Sequence, residues 1–248
     1  MERINLNVNR RAGLSECMKT APLMSLVLIG LLLPLNGFGG CIEGDCLNGS
    51  GTFIWPDGKK YEGEWVEGAP HGRGAMTISG SSKYEGAFMN GMPNGEGTII
   101  WSDGSLYSGT FKEGQANGRG IKIYRDGSTY AGEWKDGKRH GRGVRILPDG
   151  NRYEGDYQDD KPHGQGTCTW PSGEKYIGEY RAGKREGRGT QFFSDGGKYT
   201  GRFRAGKPEG RGTAAYPDGC RYVGKFKDGL PNGRGTYTWP DGQKYIGG

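Results

Sequence analysis

Nine tyrosines recur at intervals of 23 residues with no insertion or deletion: Tyr61, Tyr84, Tyr107, Tyr130, Tyr153, Tyr176, Tyr199, Tyr222 and Tyr245. A fixed period of this length marks a repeat architecture, in which each unit is one supersecondary element that buries its apolar face only against a neighbour. Composition narrows the class. Glycine supplies 51 of the 248 residues, far above the roughly 7% of average usage, which suggests collagen, a disordered chain or a β-repeat. Collagen requires glycine at every third position, and that period is absent. A solvated coil does not carry 28 aromatic residues in regular register. A β-repeat remains.

Within each unit the pattern has period two. A glycine stands two residues after each tyrosine, and an aromatic two residues further on: Trp65, Phe88, Phe111, Trp134, Tyr157, Tyr180, Phe203 and Phe226. Alternation of this kind puts tyrosine, glycine and aromatic on one face of a short strand. Glycine between two rings lets them close over the backbone. A turn built on Gly68 and its equivalents follows, with Asp160 as the single substitute, tolerated because aspartate accepts a left-handed backbone. A Gly-x-Gly pair leads into a second strand whose fifth residue is large and apolar, as in Trp55, Trp101 and Trp170, and a Pro-Asp-Gly or Ser-Asp-Gly tight turn closes the unit. The first full copy departs there, with Ser81 in the place of the turn glycine. Each unit is therefore expected to be one β-hairpin, marginal alone and stable when stacked. The fold class is all-β: an elongated, single-layer antiparallel meander, with a leading half-repeat at 41–60, eight repeats over 61–244 and the start of a ninth at 245–248.

Residues 1–40 are set apart from this fold. Ala21 to Leu35 is an apolar run of 15 residues preceded by Arg10, Arg11 and Lys19. That is shorter than the ~20 residues of a membrane-spanning helix and matches the hydrophobic region of a secretory signal. Met18 would make a natural start. Three fates stay open: cleavage near Gly39, lipidation of Cys41 as a new N-terminus, and retention as an anchor. Each places the chain outside the cytoplasm: periplasmic, extracellular or held at a membrane by its N-terminus.

The 23-residue pattern resembles the MORN (membrane occupation and recognition nexus) repeat, close to Y-x-G-x-[FWY]-x-x-G-x-x-x-G-x-G. The resemblance covers residues 41–248, and the segment from Cys41 to Gly49 looks like the lead-in of exported bacterial MORN proteins. It implies an elongated β-meander used for membrane association, protein scaffolding or self-association. Some phosphatidylinositol phosphate kinases and lysine methyltransferases carry such repeats beside a catalytic domain; here the repeat occupies the sequence after the leader.

Chemistry-bearing residues mostly fall into repeat slots. His71, His140 and His163 share a position filled elsewhere by Asn94, Asn117, Asn232, Glu186 or Glu209, which reads as a polar turn position and not as a metal site. Cys168 shares a slot with Lys122, Arg145, Met76 and Ile99, which reads as an outward or groove face. Cys220 lies in a loop slot out of phase with it, so the two should not meet. Cys41 and Cys46 are placed to form a small loop disulfide in an oxidising compartment, unless a lipid occupies the Cys41 thiol. No Cys–His–Asp set can be assembled on this register, so neither catalytic residues nor cofactors nor a small-molecule substrate are expected.

Arginine recurs inside the Gly-x-Gly pair at Arg73, Arg119, Arg142, Arg188, Arg211 and Arg234, and Lys or Arg fills a second slot from Lys60 to Lys244. The Gly-Arg-Gly string lies within hairpins and not in a disordered or phosphate-cradling loop, so nucleic acid is not expected. Arginine there reads most simply as solvated or as a cross-strand partner of Glu64, Glu133 or Glu179. Stacking turns such slots into rows of charge, at about 1 kcal/mol per basic residue beside an anionic membrane, unless neighbouring glutamates neutralise them. Net charge is +6 overall and +4 beyond residue 40 (30 basic against 26 acidic), too small by itself to indicate a polyanion. The leading expectation is a non-enzymatic, exported scaffold for a protein partner or for self-association, with the strand edge at Tyr245 to Gly248 open to pairing. Peripheral recognition of anionic lipid is the alternative.

Overall fold

The computed structural model describes residues 39–78 and 81–248. The apolar run Ala21 to Leu35 and its flanks lie outside the described residues. The described chain contains nineteen strands and forms two compact units that meet in sequence at Pro148 and Asp149. The first holds β1 (Gly40–Gly44), β2 (Gly49–Ile54), β3 (Lys60–Val66), β4 (Ala69–Thr77), β5 (Lys83–Met89), β6 (Met92–Ile100), β7 (Leu106–Lys112), β8 (Gln115–Ile123), β9 (Thr129–Lys135) and β10 (Lys138–Ile146). The second holds β11 (Arg152–Gln158), β12 (Lys161–Thr169), β13 (Lys175–Arg181), β14 (Lys184–Phe192), β15 (Lys198–Arg204), β16 (Lys207–Ala215), β17 (Arg221–Lys227), β18 (Leu230–Thr238) and β19 (Lys244–Gly247). Inside each unit successive strands pair antiparallel, so the hairpin meander of the sequence pattern is the fold. The described residues include no helix long and apolar enough to cross a membrane.

The core of each unit is a row of rings. Tyr61, Tyr84, Tyr130, Tyr153 and Tyr176 are fully buried, and the aromatics that follow them are nearly so. Within a unit a tyrosine meets the aromatic of its own strand and that of the next repeat edge to face: Tyr61 lies 5.0 Å from Trp65 and 4.9 Å from Phe88, and Tyr84 5.0 Å from each of Phe88 and Phe111. The second unit repeats this through Tyr176, Phe203, Tyr199 and Phe226. Each such pair contributes about 0.5–1.5 kcal/mol beyond its buried area.

Glycine makes the ladder possible. Gly63 pairs with Gly74 directly beneath the Tyr61 ring. A Cβ on Gly74 would sit 2.3 Å from the Tyr61 hydroxyl oxygen. The hydroxyl reaches over the pair toward the carbonyl oxygens of Glu64 (3.0 Å) and His71 (3.1 Å). Tyr107, Tyr153, Tyr176 and Tyr199 donate in the same way to the carbonyl three residues on.

Two turns alternate. In the hairpin turn Val66 pairs with Ala69, and Glu67 and Gly68 both have positive φ (51° and 74°), the type I′ geometry whose twist matches the strands. Asp160 takes the glycine position at φ 67°. The Gly68 amide donates to the Leu47 carbonyl and the Gly91 amide to that of Pro70, each at 2.9 Å, which ties the hairpin end to the repeat before it. In the tight turn the Gly58 amide donates to Trp55 O and the Trp55 amide to Lys59 O, both at 2.9 Å. Ser81 occupies the corresponding glycine position at φ 71°.

Candidate binding face

The Gly-x-Gly pair is a bulge. Opposite β3, Gly63 pairs with Gly74 while Glu64 pairs with His71, so Gly72 and Arg73 are extra residues on β4. They pair instead with Phe88 and Ala87 of β5. Gly72 has φ 56°, a value glycine adopts without steric cost. The bulge leaves the next amide without a ladder partner toward β3, and a carboxylate supplies one. Glu64 accepts the Arg73 N–H at 3.0 Å, Glu179 that of Arg188 at 2.9 Å, and Asp156 that of Gln165 at 3.0 Å. The expected partnership between Glu64 or Glu179 and arginine therefore runs through the main-chain amide.

Two slot assignments are corrected. The Cys168 slot faces inward: Cys168 is fully buried, and Ile99, Arg145 and Ala214 in the same place are buried too. Lysine and arginine enter it because their stems lie along the rings, with Lys122 Nζ 4.4 Å from the Trp101 ring centre and the Arg145 guanidinium 5.6 Å from that of Tyr124. The histidine slot lies in a strand beside the bulge and not in a turn, and it links repeats. Glu186 accepts the Ala205 N–H and Glu209 the Asp228 N–H, each one repeat further on. Cys41 and Cys46 are joined in a disulfide, and Cys220 is a buried free thiol. Among the described residues no group of three or more His, Cys, Asp or Glu is placed to hold a metal ion.

The arginine slot lies on the opposite face from the ring ladder. In the first unit the row is mixed: Arg73 pairs with Ala87, Glu96 with Thr110, and Arg119 with Glu133. Around Glu96, Thr110, Arg119, Ile121, Glu133 and Arg142 the face forms an open depression of about 560 Å³ with charges of both signs. In the second unit the row changes character. Gln165 pairs with Glu179, but Arg188 then pairs with Arg202, and Arg211 with Lys225. With Arg234 these form an exposed line of five basic side chains uninterrupted by acid.

Arg202 and Lys225 stand where earlier repeats carry Glu64, Glu133 and Glu179. Reading the arginine slot alone misses them, because the slot that completes the row lies on the intervening strand. Net charge changes sign at β14, where the basic row begins. From the start of β14, residues 184–248 carry 13 basic and 6 acidic side chains (13 − 6 = +7), whereas residues 41–183 carry 17 and 20 (17 − 20 = −3).

The ring ladder, the glycine pair and both turns are matched by the MORN repeat family, at residues 47–60, 61–81, 84–106, 107–129, 130–152, 153–175, 176–198, 199–221 and 222–244. A search of curated proteins found no match. Among solved structures, the chain is similar to the wild-type TCP10 domain of Danio rerio CPAP, at 14% identity and a TM-score of 0.41 over 81% of this chain and 89% of that one. It is likewise similar to the TCP domain of Drosophila melanogaster SAS-4, solved in complex with a proline-rich motif of Ana2, at 16% identity and a TM-score of 0.39 over 62% and 84%. The nine matched segments run through almost all of the described chain, which belongs to the MORN-repeat family.

Proposed function

We propose that the protein is an exported, non-enzymatic scaffold that engages a protein partner through the sheet face opposite its ring ladder. One observation carries the proposal. The ladder rings are buried and pack edge to face on one another, while the other face presents rows of exposed side chains in fixed register. Such a surface gives affinity by many aligned contacts and not by a single pocket. The Cys41–Cys46 disulfide supports export, because it persists in an oxidising compartment. The polar residues follow the repeat register and serve turns, bulges and links between hairpins, which supports a binding role over a catalytic one.

The test is light scattering of the full chain after size exclusion, alongside affinity capture from its own compartment. A stoichiometric complex with a partner or a second copy is expected. A monomer that captures nothing would contradict the scaffold role. Contact with anionic lipid is the other use for basic rows, and it requires salt-sensitive vesicle binding.

A further inference from the structure

We infer that the outer face of residues 184–248 is a docking trough for an extended acidic polypeptide segment. The inference rests on the scaffold reading and names the chemistry of the partner. The floor of the trough is a row of short neutral side chains: Thr190 pairs with Thr200, Thr200 with Thr213, and Thr213 with Val223. One wall is the line Arg188, Arg202, Arg211, Lys225 and Arg234. The other wall contains Lys198, Arg221 and Lys244, all exposed, alternating with Ala215 and Thr238. Arginine and lysine stand above threonine and valine by the length of their stems, so charge rises on both sides of a neutral strip.

The neutral strip admits an extended chain crossing the strands. The first wall offers a cation on every strand, ~4.8 Å apart, and the second on alternate strands. An extended peptide sends successive side chains to opposite sides and repeats each side at ~6.8 Å, so acidic residues reach both walls at once. Two carboxylates lie beyond the first wall, Glu186 and Glu209, and each accepts an N–H of the following turn. Asp228, in that turn, is held by Lys207 at 3.3 Å.

The face is poorly suited to other polyanions. Phe192 is its one partly exposed ring among the described residues, whereas single-stranded nucleic acid is held by stacking on aromatic platforms. Membrane surfaces are gripped by aromatic and apolar anchors beside the basic residues; here Tyr199 and Tyr222 are buried on the far face, and the exposed apolar side chains of this one, Phe192, Val223 and Ile246, lie on three separate strands among eight exposed cations.

The experiment measures binding of the full chain to a labelled oligo-glutamate peptide of about eight residues, long enough to cross five strands at ~4.8 Å each. Parallel arms use vesicles of phosphatidylcholine with phosphatidylserine, and a DNA duplex. Charge reversal by Arg202→Glu with Lys225→Glu is compared with Arg73→Glu with Arg119→Glu, which alters the same face of the first unit. The expected result is salt-sensitive peptide binding weakened at least about tenfold by the first pair and less than about twofold by the second.

Equal loss in both pairs, or no peptide binding, would overturn the trough. Tighter binding to vesicles or DNA than to the peptide would overturn it in favour of that partner. A natural partner retained by the R202E/K225E variant would sink the trough and leave the scaffold standing, whereas absence of any partner removes both.

Discussion

At the scale of single residues, the fold depends on backbone positions that few side chains tolerate. Ala182 and Ala205 hold φ 49° and Ser81 φ 71°, where a Cβ is crowded. Ala182→Gly and Ser81→Gly are each expected to raise stability by about 1 kcal/mol, read as a higher urea midpoint. Gly74→Ala is expected to cost about 2–3 kcal/mol, because its Cβ must displace the Tyr61 ring. Burial pushes the Tyr61 and Tyr199 phenols up to about 12 from the ordinary value of 10.0. A raised phenol stabilises the fold fully below the unfolded value and ceases to do so as pH rises through the folded one. Unfolding should therefore ease between pH 10.0 and about 12, with tyrosinate absorbance appearing together with loss of structure.

The ring ladder and the glycine between its rings were legible in the sequence, since both depend on period-two alternation within a 23-residue repeat; the pairing of Gly63 with Gly74 beneath the ring needed the register. The left-handed residue before each turn glycine was not. Glu67, Asn90 and Ala182 differ in side chain, and only the two-residue loop between paired strands forces their conformation. Lys122 and Arg145 hid the inward face of their slot in a similar way, because charge is a poor guide where a long stem can lie along a ring.

At the scale of the element, the unit is a seven-residue strand, a type I′ turn and a nine-residue strand whose two extra residues form the bulge. The bulge converts a sequence motif that suggests a ligand loop into a device that aims one side chain outward per repeat. Its carboxylate partner is a local contribution. Glu64→Ala is expected to cost about 0.5–1.5 kcal/mol through loss of the acceptor for the Arg73 amide, measured by urea unfolding. Ala87→Ser, in a repeat whose residue at that place carries no carboxylate, should change stability by less. Hairpin strands could be read from sequence, but the bulge could not, because strand lengths of seven and nine emerge only once the register is known.

At the scale of the molecule, a repeat array draws its stability from contacts between neighbours, so protection from exchange should fall toward its ends. Tyr245 is 52% exposed, whereas the equivalent Tyr176 is fully buried. Amides of Lys244–Gly247 are expected to exchange faster than those of Lys175–Arg181 by hydrogen-exchange mass spectrometry. Charge is also a property at this scale. Its concentration after residue 183 was present in the sequence but gained meaning only when pairing placed Arg202 and Lys225 between the arginines.

The central claim is that partners meet the face opposite the ladder, and photo-crosslinking from single positions tests it most directly. A photoreactive residue at Thr200 or Ser108, on that face, is expected to give a discrete protein adduct in the native compartment. The same residue at Asp195 or Asp241, in the tight turns, is expected to give none. Adducts from the turns with none from Thr200 and Ser108 would contradict the account.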